Sequence, residues 1–278
     1  MDINRRTVLI GGTAALVTAG SGALTMTTAN AATTINMEAV LLAAQWDPRK
    51  PTSGLTPGAK DSVLAVERAL VAKGLLKKSL VDGHFGTSTI SAYAAWQRRL
   101  GYSGLDASGL PGPTSLVKLG VGRFAVTRKV SSGARITYDG VRVNERTKAM
   151  LREAERILAP RLTYTQGSYN PGGVSASAGT HDGGGTVDVS VRNLSSSQRA
   201  EVVRVLRRVG FAAWLRNPSQ GSWPYHIHAV AVSDPDLSSG AQHQVGDYYQ
   251  GLNGLAGRGR DDGPRVTKVT WEQYKRAH

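Results

Sequence analysis

Two short stretches alternate with a period of two, and they limit the fold more than any other feature. "GTVDVSV" (185–191) follows a run of glycines, and "WPYHIHAVAV" (223–232) follows a further stretch running through Trp214. Such alternation marks strands with one face buried. "RLTYTQGSY" (161–169) alternates in the same way and predicts a third strand.

Helices fall between these strands. "NERTKAMLREAERIL" (144–158) has a capping residue in Asn144 and an apolar stripe through Met150, Leu151, Ala154, Ile157 and Leu158. A second helix opens on the capping box Ser195 to Gln198, buries Val202, Val203, Leu206 and Val209, and stops at Gly210. Helix, strand, strand, helix, strands is an α+β order with a mostly antiparallel sheet and flanking helices. The tail from Asp234, rich in Gly, Ser and Asp, reads as a loose appendage ending in a short helix capped by Thr270.

Upstream, "DSVLAVERALVAKGLL" (61–76) predicts a helix stopped at Gly74. The turn "DGHFG" then delivers a threonine-started helix with Ile90, Tyr93 and Trp96, and a Gly/Pro turn precedes a last helix around Leu116 and Leu119. The small three-helix unit over 45–120 resembles the peptidoglycan-binding domain that accompanies bacterial wall hydrolases. Asp82, Gly83, Phe85, Gly86, Thr89, Trp96, Gln97, Gly101, Gly109, Gly112 and Leu116 carry the resemblance, and "DASGLPGPTSL" departs from it by a small insertion. A linker is expected near 121–140.

The chemistry gathers in two motifs. In "THDGGGTVDV", His181 lies in a loop seven residues before Asp188 on the next strand; in "HIH", His226 and His228 project from one strand face. Two imidazoles and a carboxylate with an open position form the usual catalytic zinc set, and a chain without cysteine must hold metal with His, Asp or Glu. A phosphate loop is excluded: no Lys-Ser/Thr follows the glycines, which precede a strand rather than a helix. The glycines are expected to leave room for substrate backbone. His84, His243 and His278 read as ordinary surface residues, and Asp182 as a loop-capping aspartate.

The pattern His181-x-x-Gly184-x-x-x-Asp188 with His226-x-His228 resembles the superfamily of zinc D-alanyl-D-alanine carboxypeptidases, lysostaphin-type endopeptidases and hedgehog domains, over 134–234. The resemblance implies Zn2+ on His181, Asp188 and His228, with His226 unliganded and catalytic. Where carboxypeptidase members carry a substrate-binding arginine, "TQGSYN" offers Gln166, Ser168 and Tyr169; with Ser177 near the first histidine, Gln166, Tyr169 and Ser177 are the expected substrate contacts. The implied activity is a peptidoglycan peptidase, as a D,D-carboxypeptidase or an endopeptidase. The rival expectation is a non-catalytic wall-binding protein with structural zinc.

Charge and targeting agree with that setting. Residues 1–31 place Arg5 and Arg6 before an apolar run that ends in Ala29-Asn30-Ala31, resembling a twin-arginine export signal. The run is too weakly apolar for a stable membrane span. Of the net charge of +14, residues 1–31 hold only two arginines and one aspartate, so nearly all of it belongs to the rest of the chain and predicts anionic cell-wall polymers as partners. No nucleic-acid-binding motif is present. The expectation is a secreted, wall-associated monomer: signal 1–31, wall-binding domain 45–120, zinc peptidase domain 134–234, C-terminal extension 235–278.

Overall fold

The computed structural model describes residues 33–51, 54–159 and 161–278. The export-signal expectation for residues 1–31 lies outside them. Residues 32–278 form one compact unit of mixed helix and sheet.

The helical part opens with a short strand β1 (Thr34–Asn36) and α1 (Met37–Trp46), which the sequence reading did not anticipate. Asn36 caps α1 by accepting from the Glu38 and Ala39 amides. Then come α2 (Lys60–Ala72), α3 (Thr87–Arg99) and α4 (Pro113–Gly120), the three helices expected, with Gly74 left-handed just past α2 as a stop. The "DGHFG" turn is a fastening: the buried Glu67 carboxylate accepts from the Gly83 amide at 2.9 Å and from the Thr89 hydroxyl at 3.1 Å. His84, expected at the surface, is buried inside that turn.

The expected linker is structured. It contains β2 (Ala125–Thr127), paired in parallel with β1, and a hairpin of β3 (Arg135–Tyr138) and β4 (Val141–Asn144). Asn144 then caps α5 (Glu145–Leu158) through the Thr147 amide at 2.8 Å.

Four strands make the main sheet: β5 (Tyr164–Gln166), β6 (Thr186–Ser190), β7 (Phe211–Arg216) and β8 (His226–Ala231), in the order β5-β6-β8-β7 and antiparallel throughout. Between β6 and β7 runs α6 (Ser196–Arg208), opened by the Ser195–Gln198 capping box. One sheet face, with Val187, Val189, Ile227, Ala229 and Phe211, packs on the apolar stripes of α5 and α6.

The other face is divided. Ala212, Trp214, Val230 and Val232 join the core of the N-terminal helices, together with Val245 and Tyr248 of α7 (Ser239–Tyr249). Further along the same strands, Ser190, His226 and Arg216 form a row open to a cleft. The tail is therefore no loose appendage. Helix α7 packs into the core, tied to α1's end by the Arg49–Asp247 pair, and α8 (Trp271–Ala277), capped by Thr270 as expected, buries Trp271 and Tyr274 in the opposite core.

Candidate metal centre

Strand register builds the site. Asp188 on β6 lies directly opposite His228 on β8, which lies opposite Trp214 on β7; Gln166 on β5 flanks Asp188. One step along, Ser190, His226 and Arg216 form the next row. Cross-strand partners share a face, so these side chains emerge together. The loop before β6 adds His181, whose ring lies edge-on to His228 with centroids 5.2 Å apart.

His181, Asp188 and His228 are buried, and their ligating atoms lie within 4.8 Å of one another; the group can hold a metal ion. The hydrogen bonds around the two donor imidazoles fit that role. His181 Nδ1 donates to the Gly167 carbonyl at 2.8 Å, which leaves a lone pair on Nε2. That Nε2 is 3.3 Å from Asp188 Oδ1 yet buried without a hydrogen-bond partner among the described residues.

His228 is set the same way by the other nitrogen. The Gln244 amide nitrogen donates to the Gly254 carbonyl at 3.1 Å, so its Oε1 points at His228 Nε2, 2.8 Å away, and accepts that proton. The lone pair then falls on Nδ1, 2.8 Å from Asp188 Oδ1. Two lone pairs at that distance repel unless a cation lies beside them. Burial, the largest influence on His228, pushes its pKa down despite the adjacent carboxylate, which disfavours a proton as that cation. Burial alone would raise Asp188, but positive charge on the imidazole side, carried by a proton there or by a bound cation in its place, holds the carboxyl well below the usual range and ionised.

His226 stands apart from this donor set. Its Nδ1 donates to the Pro224 carbonyl at 2.8 Å, and its Nε2 lone pair sits 3.8 Å from Asp188 Oδ2. A neutral imidazole with a free acceptor nitrogen beside the group can take up a proton.

Of the three acceptors that fix these rings, Gly167 and Gln244 orient the donor imidazoles as outer-shell partners do, and Pro224 fixes His226 beside them. The sequence reading left them unidentified. Gln244 belongs to α7, and only the docking of that helix brings it in. Gly254, which receives the Gln244 amide, has left-handed backbone, and an added Cβ would sit 3.0 Å from the Trp214 ring; close approach there needs glycine.

The donor group opens on a cleft of about 640 Å³, lined by Gln166, Ser177, Arg216, Trp223, His226 and the segment Asn253–Gly257. Beyond His226 the surface continues into a second lobe of about 580 Å³ with Thr165, Ser190, Arg192, Arg199 and Tyr225. Gln166 and Ser177 thus lie where substrate contacts were expected. Tyr169 does not: its hydroxyl donates to Asp236 at 2.6 Å, Arg135 stacks on its ring at 4.4 Å, and it lines a separate cavity of about 150 Å³ beside Gln97 and Tyr102.

The glycines also differ from expectation. A Cβ on Gly183 would collide with the Asp236 carbonyl and lie 2.5 Å from the Ser238 nitrogen, and one on Gly184 would meet the Tyr169 hydroxyl at 2.6 Å. They make room for the chain's own 236–238 segment, not for substrate. Asp182 braces its loop by accepting from the Gly172 amide at 3.3 Å. Trp223, with its ring edge-on to His226 at 6.3 Å, and Arg216 were not singled out from sequence, although Arg216 shares the alternation phase of Trp214. Among the described residues no helix is long and apolar enough to cross a membrane. Compared with known proteins, the chain matches no family model, no curated protein and no solved structure.

Proposed function

We propose that this chain is a secreted, zinc-dependent peptidase that hydrolyses a peptide bond in the stem or cross-link peptides of peptidoglycan, with the helical unit over 45–120 attaching it to the wall. The observation that carries this reading is the donor set itself. His181 Nε2, Asp188 and His228 Nδ1 converge, each imidazole has its other nitrogen committed to an acceptor, and all three residues line the cleft. Two imidazoles and one carboxylate with an open position suit zinc in a hydrolytic role.

When bound, zinc supplies Lewis acidity toward a scissile carbonyl and toward water. The chain's residues do the rest. His226 Nε2 takes the proton released by the attacking water and returns it to the leaving amine, while Pro224 holds its Nδ1–H in place. Trp214 stacks on His228 at 6.4 Å and keeps that ring from tilting. Gln166, on the strand beside Asp188, has a buried side-chain nitrogen without a partner among the described residues, available to a substrate carbonyl.

Support for the wall as the place of action comes from the "DGHFG" pattern, the export-type segment 1–31 and a net charge of +14, which favours anionic wall polymers. Tethering by a second module raises the local concentration on an insoluble substrate. The test is to incubate the purified protein with peptidoglycan, with and without chelator, and to identify released peptides by mass. Zinc-restorable release is expected. Stoichiometric zinc with no release would leave a wall-binding protein with a structural metal.

A further inference from the structure

Arg216 is the one cation built into the wall of the main cleft among its described lining residues. It closes strand β7, directly opposite His226 on β8, so its side chain emerges on the face that presents the catalytic row. The residue is only 3% exposed. Its guanidinium lies 4.9 Å from the Trp214 ring centroid, and Nη1 donates to the Asn253 carbonyl at 2.7 Å. Nη2 is buried with no hydrogen-bond partner among the described residues.

That arrangement is costly for a protein that has no use for it. A buried guanidinium normally pairs with a carboxylate, and an unpaired donor forfeits its solvation. Among the described residues the other buried arginines are paired: Arg146 with Glu272 and Asp234, and Arg207 with Asp261. Arg216 has no such partner. Three carboxylates act on it from a distance without hydrogen-bonding it: Asp188, already shared between His181 and His228 and open to a cation in the donor group, Asp261, paired with Arg207, and Asp262. The cleft then holds a fixed positive charge on one side of the group and lacks the anion to match it.

We infer that Arg216 is a specificity-determining residue that receives a carboxylate of the substrate, on the side of the scissile bond that lies toward β7. This rests on the peptidase reading of the same site. A guanidinium with one arm anchored and the other free suits a carboxylate, because the anchored arm fixes the plane and the free donor selects the charge. Arg216 shares the cleft wall with Gly254, Ala256 and Gly257, whose side chains are small or absent. The carboxylate has two sources, a free C-terminus or an acidic side chain next to the bond. The shared chemistry is the same, and the probes separate them.

The experiment uses the metal-free full chain, so that its result does not depend on hydrolysis. Binding of N-acetyl-alanyl-alanine, of its C-terminal amide and of N-acetyl-alanyl-glutamate with a blocked C-terminus is followed by calorimetry for the parent and for R216Q. Arginine side-chain NMR of the parent is recorded in parallel and needs no variant to fold. At least one of the two acids is expected to bind about tenfold or more tightly than the neutral amide. R216Q abolishes that preference while binding of the amide changes little, and the Arg216 signals move with the acid alone. Preference for the first acid marks a free terminus, and preference for the second marks an internal acidic residue. Equal binding of acids and amide by the parent, or a preference that R216Q keeps, overturns the assignment. A protein that shows the preference yet releases nothing from peptidoglycan would instead refute the peptidase reading and leave this carboxylate site standing.

Discussion

Replacing Gln244 by alanine isolates the argument that α7 completes the metal centre. The Gln244 carbonyl accepts from His228 Nε2 at 2.8 Å, and the imidazole is buried. Without that acceptor the ring has two courses. It can keep its proton on Nε2 and leave a buried donor unpaired, at a cost of about 1–3 kcal/mol. Or it can move the proton to Nδ1, where Asp188 Oδ1 at 2.8 Å accepts it, and lose the lone pair a metal needs. Metal binding must then reverse the second course and incur the cost of the first. The expected weakening of zinc affinity is therefore roughly tenfold to a hundredfold, the range seen for outer-shell partners. A competition titration against a chelating dye measures it, with thermal melts of the metal-free proteins to confirm that α7 stays docked. Q244E, which keeps an acceptor on Nε2, is expected to retain most of the affinity. A folded Q244A protein within about twofold of the parent would refute the tautomer argument, because the outer-shell effect would then be missing.

H226A is expected to bind zinc as the parent does, since its ring is outside the donor group, but to lose about a hundredfold or more of hydrolysis by kcat; a comparable loss of zinc would show His226 to be a ligand. G183A is expected to destabilise the protein by about 1–3 kcal/mol in urea melts because its Cβ meets backbone of the 236–238 segment, and an unchanged midpoint would restore the glycines to the substrate side. Glu67 gives a pH test: burial, the largest influence, raises its pKa to about 7 despite the hydrogen bonds it accepts. The native state therefore holds a proton that the unfolded chain releases near the ordinary value of 4.5, and stability falls as pH rises from there to about 7. E67Q is expected to flatten that part of the profile in urea melts taken across the window; an unaltered slope would place its origin elsewhere.

What the sequence made legible depended on where burial was one-sided. Val187, Val189, Ile227 and Ala229 alternate with Asp188, Ser190, His226 and His228 because one sheet face is dry and the other meets a cleft, and that alternation placed both histidines and the aspartate correctly on one face. Asn144, Ser195 and Thr270 were legible because a cap is a local interaction within three residues. Helix α7 was not. Its buried side includes Gln242 and Asp247 alongside Ala241, Val245 and Tyr248, so its apolar pattern is diluted by polar groups, and the partner of Asp247 lies far away in sequence. Asp247 pairs with Arg49, and Gln242 donates to the Leu237 carbonyl. Tyr169 failed for the related reason that its partners, Asp236 and Arg135, come from outside the motif that suggested it.

The same distance in sequence explains how the sheet face is apportioned. Trp214 stands at the boundary: its ring stacks on His228, packs edge-on to Tyr248 of α7 and donates its Nε1–H to the Leu252 carbonyl at 3.2 Å. On one side of it the face is filled by α7 and, beyond that, by Val40, Leu41 and Ala44 of α1; on the other it is left to Arg216, His226 and Ser190. The segment that seals the dry half, Leu252 to Gly254, also supplies the carbonyls that hold Trp214, Arg216 and Gln244. Orientation of the metal ligand His228 and orientation of the cleft's arginine are thus two results of one docking event. Any change that loosens the 252–254 carbonyls disturbs both, whereas the donor atoms of His181, fixed by Gly167 on the far edge of the sheet, are left in place.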